Sequence, residues 1–176
     1  MSSKAAPLLL KIVLGTVVVL LLLAILIPNL LRSRMTADPP PGATGAWFVR
    51  TINTAQVTYS ATYEKVGYAP NLARLGGWPE GPCGPERACL LDKVLACPEG
   101  VGQVWCKQGA YLYHVQSSST EPPYKDYWVT ATPVDPTSKL KTYCSASDVV
   151  IRSVSIAPLS KPLTLEECLA LPSIKP

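Results

Sequence analysis

Residues 8–31 read LLLKIVLGTVVVLLLLAILIPNLL, and only Lys11, Thr16 and Asn29 are polar. Wound as a helix at about 1.5 Å per residue, the stretch would reach roughly 36 Å, enough to cross a hydrocarbon core of about 30 Å. The competing reading is a cleaved secretory signal, since Lys4 precedes the apolar run. The run is longer than an h-region of about 7 to 15 residues, and Arg32 and Arg34 follow it as a stop-transfer flank, so a retained transmembrane helix is expected. Residues 1–7 then form a short N-terminal stretch ahead of it.

This segment also explains the charge. The chain carries 16 Lys plus Arg and 12 Asp plus Glu, for a formal net charge of +4. Lys4, Lys11, Arg32 and Arg34 are the only charged side chains ahead of Asp38, and the rest cancel. The basicity belongs to the flanks of the apolar run, which excludes a broad nucleic-acid-binding field.

All six cysteines (Cys83, Cys89, Cys97, Cys106, Cys144 and Cys168) lie beyond the apolar run. An even number on one side of a membrane suits three disulfides in an oxidising compartment, so the N-terminus is expected to be cytoplasmic and the large C-terminal part to face outward. No C-x2-C pair occurs, which disfavours a zinc site or a thioredoxin-like motif. Fifteen pairings are open; the local set Cys83 with Cys89, Cys97 with Cys106 and Cys144 with Cys168 is preferred because each closes a short loop and the last ties the tail to the body.

Residues 32–43 contain DPPPG, where three prolines stop or bend any helix leaving the membrane. A globular head over residues 44–176 is expected beyond this break, and its class is α+β. A helix from Thr44 or Ala46 to about Tyr63 would bury a stripe of Phe48, Ile52, Ala55, Tyr59 and Tyr63, leave Arg50, Asn53 and Gln56 off it, and end at Gly67. Pro- and Gly-rich loops stapled by disulfides follow, with a helical turn at residues 90–96. Strands are expected at residues 110–116, 127–133 and 149–156, in an antiparallel sheet of three to four strands. Thr164 and Glu167 form the pattern of a capping box for a short tail helix.

The order of membrane helix, amphipathic helix, loop, antiparallel sheet and disulfide-tied tail meets a specific stretch at residues 25–34, ILIPNLLRSR. It resembles the end of the N-terminal segment of bacterial type IV pilins and of the pseudopilins of type II secretion. Residues 50–77, RTINTAQVTYSATYEKVGYAPNLARLGG, are similar to the following part of such proteins, and LLDKVLA, YLYHV and YWVTATPV occur in the family's order. The resemblance implies a ladle-shaped subunit whose apolar helix first anchors it in the inner membrane and then packs against other pilins in a fibre. Pro28 withholds one backbone donor near the exit end of that helix and permits a local kink. The family's leader would be cut between Ala6 and Pro7, and its usual Glu would stand at Lys11. Ala6, Pro7 and Lys11 replace the family's Gly, Phe and Glu, which argues against ordinary processing and self-polymerisation. A buried ammonium at Lys11 must snorkel or pair with a carboxylate of another subunit, so a minor or non-processed subunit is expected, with Lys11 selecting its partner. The Cys144 and Cys168 pair also resembles the C-terminal disulfide loop of pilins.

No catalytic constellation is legible. His114 is the only histidine and lies in a strand, no G-x-S-x-G motif or Gly-rich phosphate loop is present, and no cofactor is expected. Asp126, Asp135 and Asp148 could gather around Ca²⁺, but no D-x-D-x-D-G pattern supports it, and no metal is expected. The many aromatics, among them Tyr127 and Trp128, are read first as core and second as a glycan-binding face. The expectation is a non-enzymatic pilin-like protein; the alternative is a single-pass tethered module that binds a glycan or envelope polymer and joins no fibre.

Overall fold

In the computed structural model, residues 41–77, 81–97 and 104–174 are described here. The cleavage position Ala6 and Pro7, the expected span 8–31 with Lys11 and Pro28, and most of the proline break lie outside them. Among the described residues, no helix is long and apolar enough to cross a membrane.

Helix α1 covers Pro41–Thr62. It starts earlier than the expected Thr44, because proline at a first helical position has the right φ and its missing N–H leaves nothing unpaired. The break of residues 32–43 therefore ends inside the helix. Ile52, Ala55 and Tyr59 are buried as expected, while Phe48 and Tyr63 are only half-buried. Asn53 and Gln56 were expected outside; both are inside, at 1% and 0% exposure. The sheet and the loop at Ala69 together cover a wider arc of the helix than one apolar stripe, and each amide is satisfied there, Asn53 by the sheet and Gln56 by the loop. Gln56 clamps a whole peptide unit, its Nε2 donating to the Ala69 carbonyl and its Oε1 accepting from the Ala69 N–H, both at 2.8 Å. Gly45 lets the Tyr111 and Tyr143 rings lie against the helix, since a Cβ there would sit 2.6 Å from Tyr111. The helix stops at Thr62, five residues before Gly67; Gly67, at φ +81°, instead lets the backbone pair with Tyr124.

Five strands form one antiparallel meander in the order β1 to β5: β1 Cys106–Gln108, β2 Tyr111–Ser117, β3 Tyr127–Pro133, β4 Thr142–Ala146 and β5 Ile151–Val154. The class is α+β, with one more strand than the upper expectation. Strands β1 and β4 escape sequence reading: β1 is three residues long, and β4 is buried along its whole length, which erases the alternation of a half-buried strand. The expected strand 149–156 shrinks to Ile151–Val154, because Val149 closes the preceding turn.

One sheet face carries Tyr111, Tyr113, Val115, Tyr127, Val129 and Ala131 against α1. The other carries Trp128, Thr130, Thr132 and Cys144, covered by the tail. Two single-turn helices, α2 Leu72–Leu75 and α3 Lys93–Ala96, are capped by the side chains of Asn71 and Asp92. The tail helix α4, Leu165–Ala170, begins with the expected Thr164–Glu167 capping box. Disulfides join Cys83 to Cys89, Cys97 to Cys106 and Cys144 to Cys168, the three local pairs.

Candidate functional site

The outward side of α1 carries an unusual surface. Of its 22 residues only Arg50 is charged. Trp47 is 50% exposed and Val57 46%, with Thr54, Thr58 and Ala61 exposed beside them. The hydroxyls that should wet this side are turned inward onto the helix itself. Thr51 donates to the Trp47 carbonyl at 3.1 Å, Thr54 to Arg50 at 3.0 Å, Thr58 to Thr54 at 2.9 Å and Thr62 to Thr58 at 2.8 Å. Ser60 does the same to Val57 at 3.0 Å. A threonine bonded back in this way spends its donor within the helix. The surface is therefore drier than its composition suggests, and its small side chains allow another helix to approach closely. An ordinary solvated helix face carries Lys and Glu there.

Beside this face runs a groove of about 460 Å³ between α1 and the β4–β5 turn, lined by Arg50, Thr54, Val149, Val150 and Ile174 among others. Val149 stands at φ +61°, a left-handed conformation that is strained for a β-branched residue. The turn holds it there. Its N–H donates to the Ala146 carbonyl at 2.8 Å, and Asp148 accepts from the Val150 N–H at 3.1 Å. Asp148 is itself held by Arg152, whose guanidinium nitrogens reach its two oxygens at 3.2 and 2.6 Å. That ion pair keeps the Asp148 carboxyl below its ordinary pKa. The outcome is two valines presented to solvent, 45% and 39% exposed.

The expected binding aromatics separate. Tyr127 is fully buried and donates its hydroxyl to Asn53, so it offers no ring to a surface ligand. A tyrosine on the α1 side of β3 has no route to solvent. Trp128 points to the other side, half-buried, and its indole N–H donates to the Leu163 carbonyl at 2.7 Å, which pins the tail. His114 is half-buried in β2 with Trp105 edge-on at 6.1 Å; burial lowers its pKa, opposed by a bond with the Val104 backbone. Asp126, Asp135 and Asp148 do not gather. Each has its own partner, respectively Ser147, Thr137 and Arg152. Among the described residues no group of side chains could hold a metal ion. All six cysteines are in disulfides and offer no thiol.

The dry helix face was missed by reading α1 only for its apolar stripe. Its signal was available as one charge in 22 residues with Thr at 51, 54, 58 and 62. Compared with protein families, curated proteins and solved structures, the chain matches none.

Proposed function

We propose that this protein is a non-enzymatic pilin-like subunit, a minor or non-processed component of a type IV pilus or a type II secretion pseudopilus. In this reading residues 8–31 hold it in a bacterial inner membrane, the disulfide-braced head is periplasmic, and its partners are other pilins or pseudopilins. The observation that supports it is the outward face of α1, with one charge and its hydroxyls turned back. Such a face is built to meet another helix rather than water. The sequence of residues 8–31, expected as a helix, would be apolar on all sides and suited both to lipid and to a bundle of neighbouring helices. Lys11 would choose a neighbour that supplies a carboxylate. The tethered glycan-binding alternative loses one of its two aromatics to the core, since Tyr127 is buried.

The test is co-isolation of the full chain with other pilin-like subunits from membranes. Thr54→Lys and Val57→Lys should each lower the yield at least several-fold, and Lys11→Glu should raise co-assembly with like subunits. If none of the three substitutions alters what is recovered, the reading is wrong.

A further inference from the structure

We infer that the groove beside α1 is a docking site for a partner segment that carries a carboxylate next to aliphatic side chains. This deepens the pilin-like reading, on which it rests, by naming the chemistry of what meets the head.

The floor of the groove is apolar. Val149, Val150, Ile151 and Ile174 line it, and the first two are well exposed. Its one charged lining residue is Arg50, for which no carboxylate lies within ion-pair distance among the described residues: their ion pairs are Arg74 with Glu86 and Arg152 with Asp148. The nearest acid in sequence along the turn, Asp148, is already committed to Arg152 through two contacts. A lone guanidinium beside an aliphatic floor is complementary to an acidic residue flanked by Leu, Ile or Val.

Two further observations point the same way. The groove is continuous with the dry face of α1, since Arg50 and Thr54 belong to both. And the turn retains a β-branched residue in a left-handed conformation where glycine would be relaxed, which keeps an isopropyl group at the groove. The Asn53 amide, whose oxygen and one N–H are used by Tyr127 and Ser145, fixes the inner wall so that the site is largely preformed.

The full chain in lipid nanodiscs is used to select from a display library of random twelve-residue peptides, with empty nanodiscs as counter-selection. Recovered peptides should be enriched in Asp or Glu adjacent to Leu, Ile or Val, and one synthesised representative should bind the chain at least tenfold more tightly than its Gln-substituted copy. Arg50→Glu should remove that preference and favour a Lys-substituted peptide, while the uncharged Val150→Asn, at an exposed position, should weaken all of them by removing part of the apolar floor. No acidic enrichment, or the same enrichment with Arg50→Glu, overturns the inference. So does self-association of the chain that Arg50→Glu abolishes, because the occupant would then be a second copy. Peptide selection without any co-isolated pilin leaves the groove standing and removes the fibre reading; co-isolation that is lost with Val57→Lys but untouched by Arg50→Glu, with no acidic selection, does the reverse.

Discussion

The side-chain amide of Asn53 joins α1 to Ser145 on β4, its nitrogen donating to the serine oxygen at 2.8 Å across 92 residues of sequence. Its oxygen accepts from the Tyr127 hydroxyl on β3 at 3.0 Å. This buried polar link sets the rotation of the helix on the sheet, and hence which side of α1 faces outward. Replacing Asn53 with Ala strands two buried hydroxyls, at a cost of about 2 to 3 kcal/mol. Urea unfolding should show a lower midpoint; an unchanged midpoint would mean that the link contributes nothing.

Trp128→Phe keeps an aromatic ring, though a smaller one, and removes the bond to the Leu163 carbonyl. The loss is about 1 kcal/mol in global stability. Its distinctive effect should be local: faster proteolytic cleavage around residues 155–163. A tail no more accessible than in the parent would count against the pinning role.

Val149→Gly should raise stability by about 1 kcal/mol, because relief of the left-handed strain outweighs the greater freedom of glycine in the unfolded chain. Thermal unfolding decides this. A lower Tm would show that the valine contributes more by contact than it costs in conformation.

Removing the Cys144–Cys168 bridge, with its sequence separation of 24, should cost more than removing Cys83–Cys89, with 6. Loop-closure entropy gives about 3.5 against about 2.4 kcal/mol. Paired Cys→Ser variants compared by denaturant unfolding test the order, and the reverse order would refute it.

Acid should destabilise the head in two windows. The folded state lowers the pKa of His114, mainly by burial, and that of Asp148, mainly through Arg152. Both groups therefore bind protons less readily folded than unfolded. Each contribution is intact above the unfolded value, about 6.5 for His and about 3.9 for Asp, and is lost as the pH falls from there through the folded value. His114→Gln should flatten the upper limb alone, and Arg152→Gln the lower. A stability profile for His114→Gln that parallels the parent below pH 6.5 would rule out the histidine.

Much of the head could be read before its structure. Strand β3 falls on Tyr127–Pro133 as expected, and Thr164 with Glu167 caps α4, because these signals are local and neighbours in sequence carry them. The short cysteine loops likewise favoured the three pairs that form. Asn53 and Gln56 were misread, because their polarity is answered by Ser145, Tyr127 and Ala69, which no helical period can reveal. Strand β4 was missed for a related reason: a five-residue segment covered on both sides has no pattern of its own.

The amino-acid order alone determined that a long apolar run precedes a cystine-braced α+β head with no legible catalytic set, since composition, spacing and periodicity act along the chain. Only the tertiary structure decided which aromatics are core, which side of α1 faces outward, and that Arg50 lies beside exposed valines. Those outcomes depend on contacts between distant segments, and burial or pairing there overrides the preference of any residue taken singly.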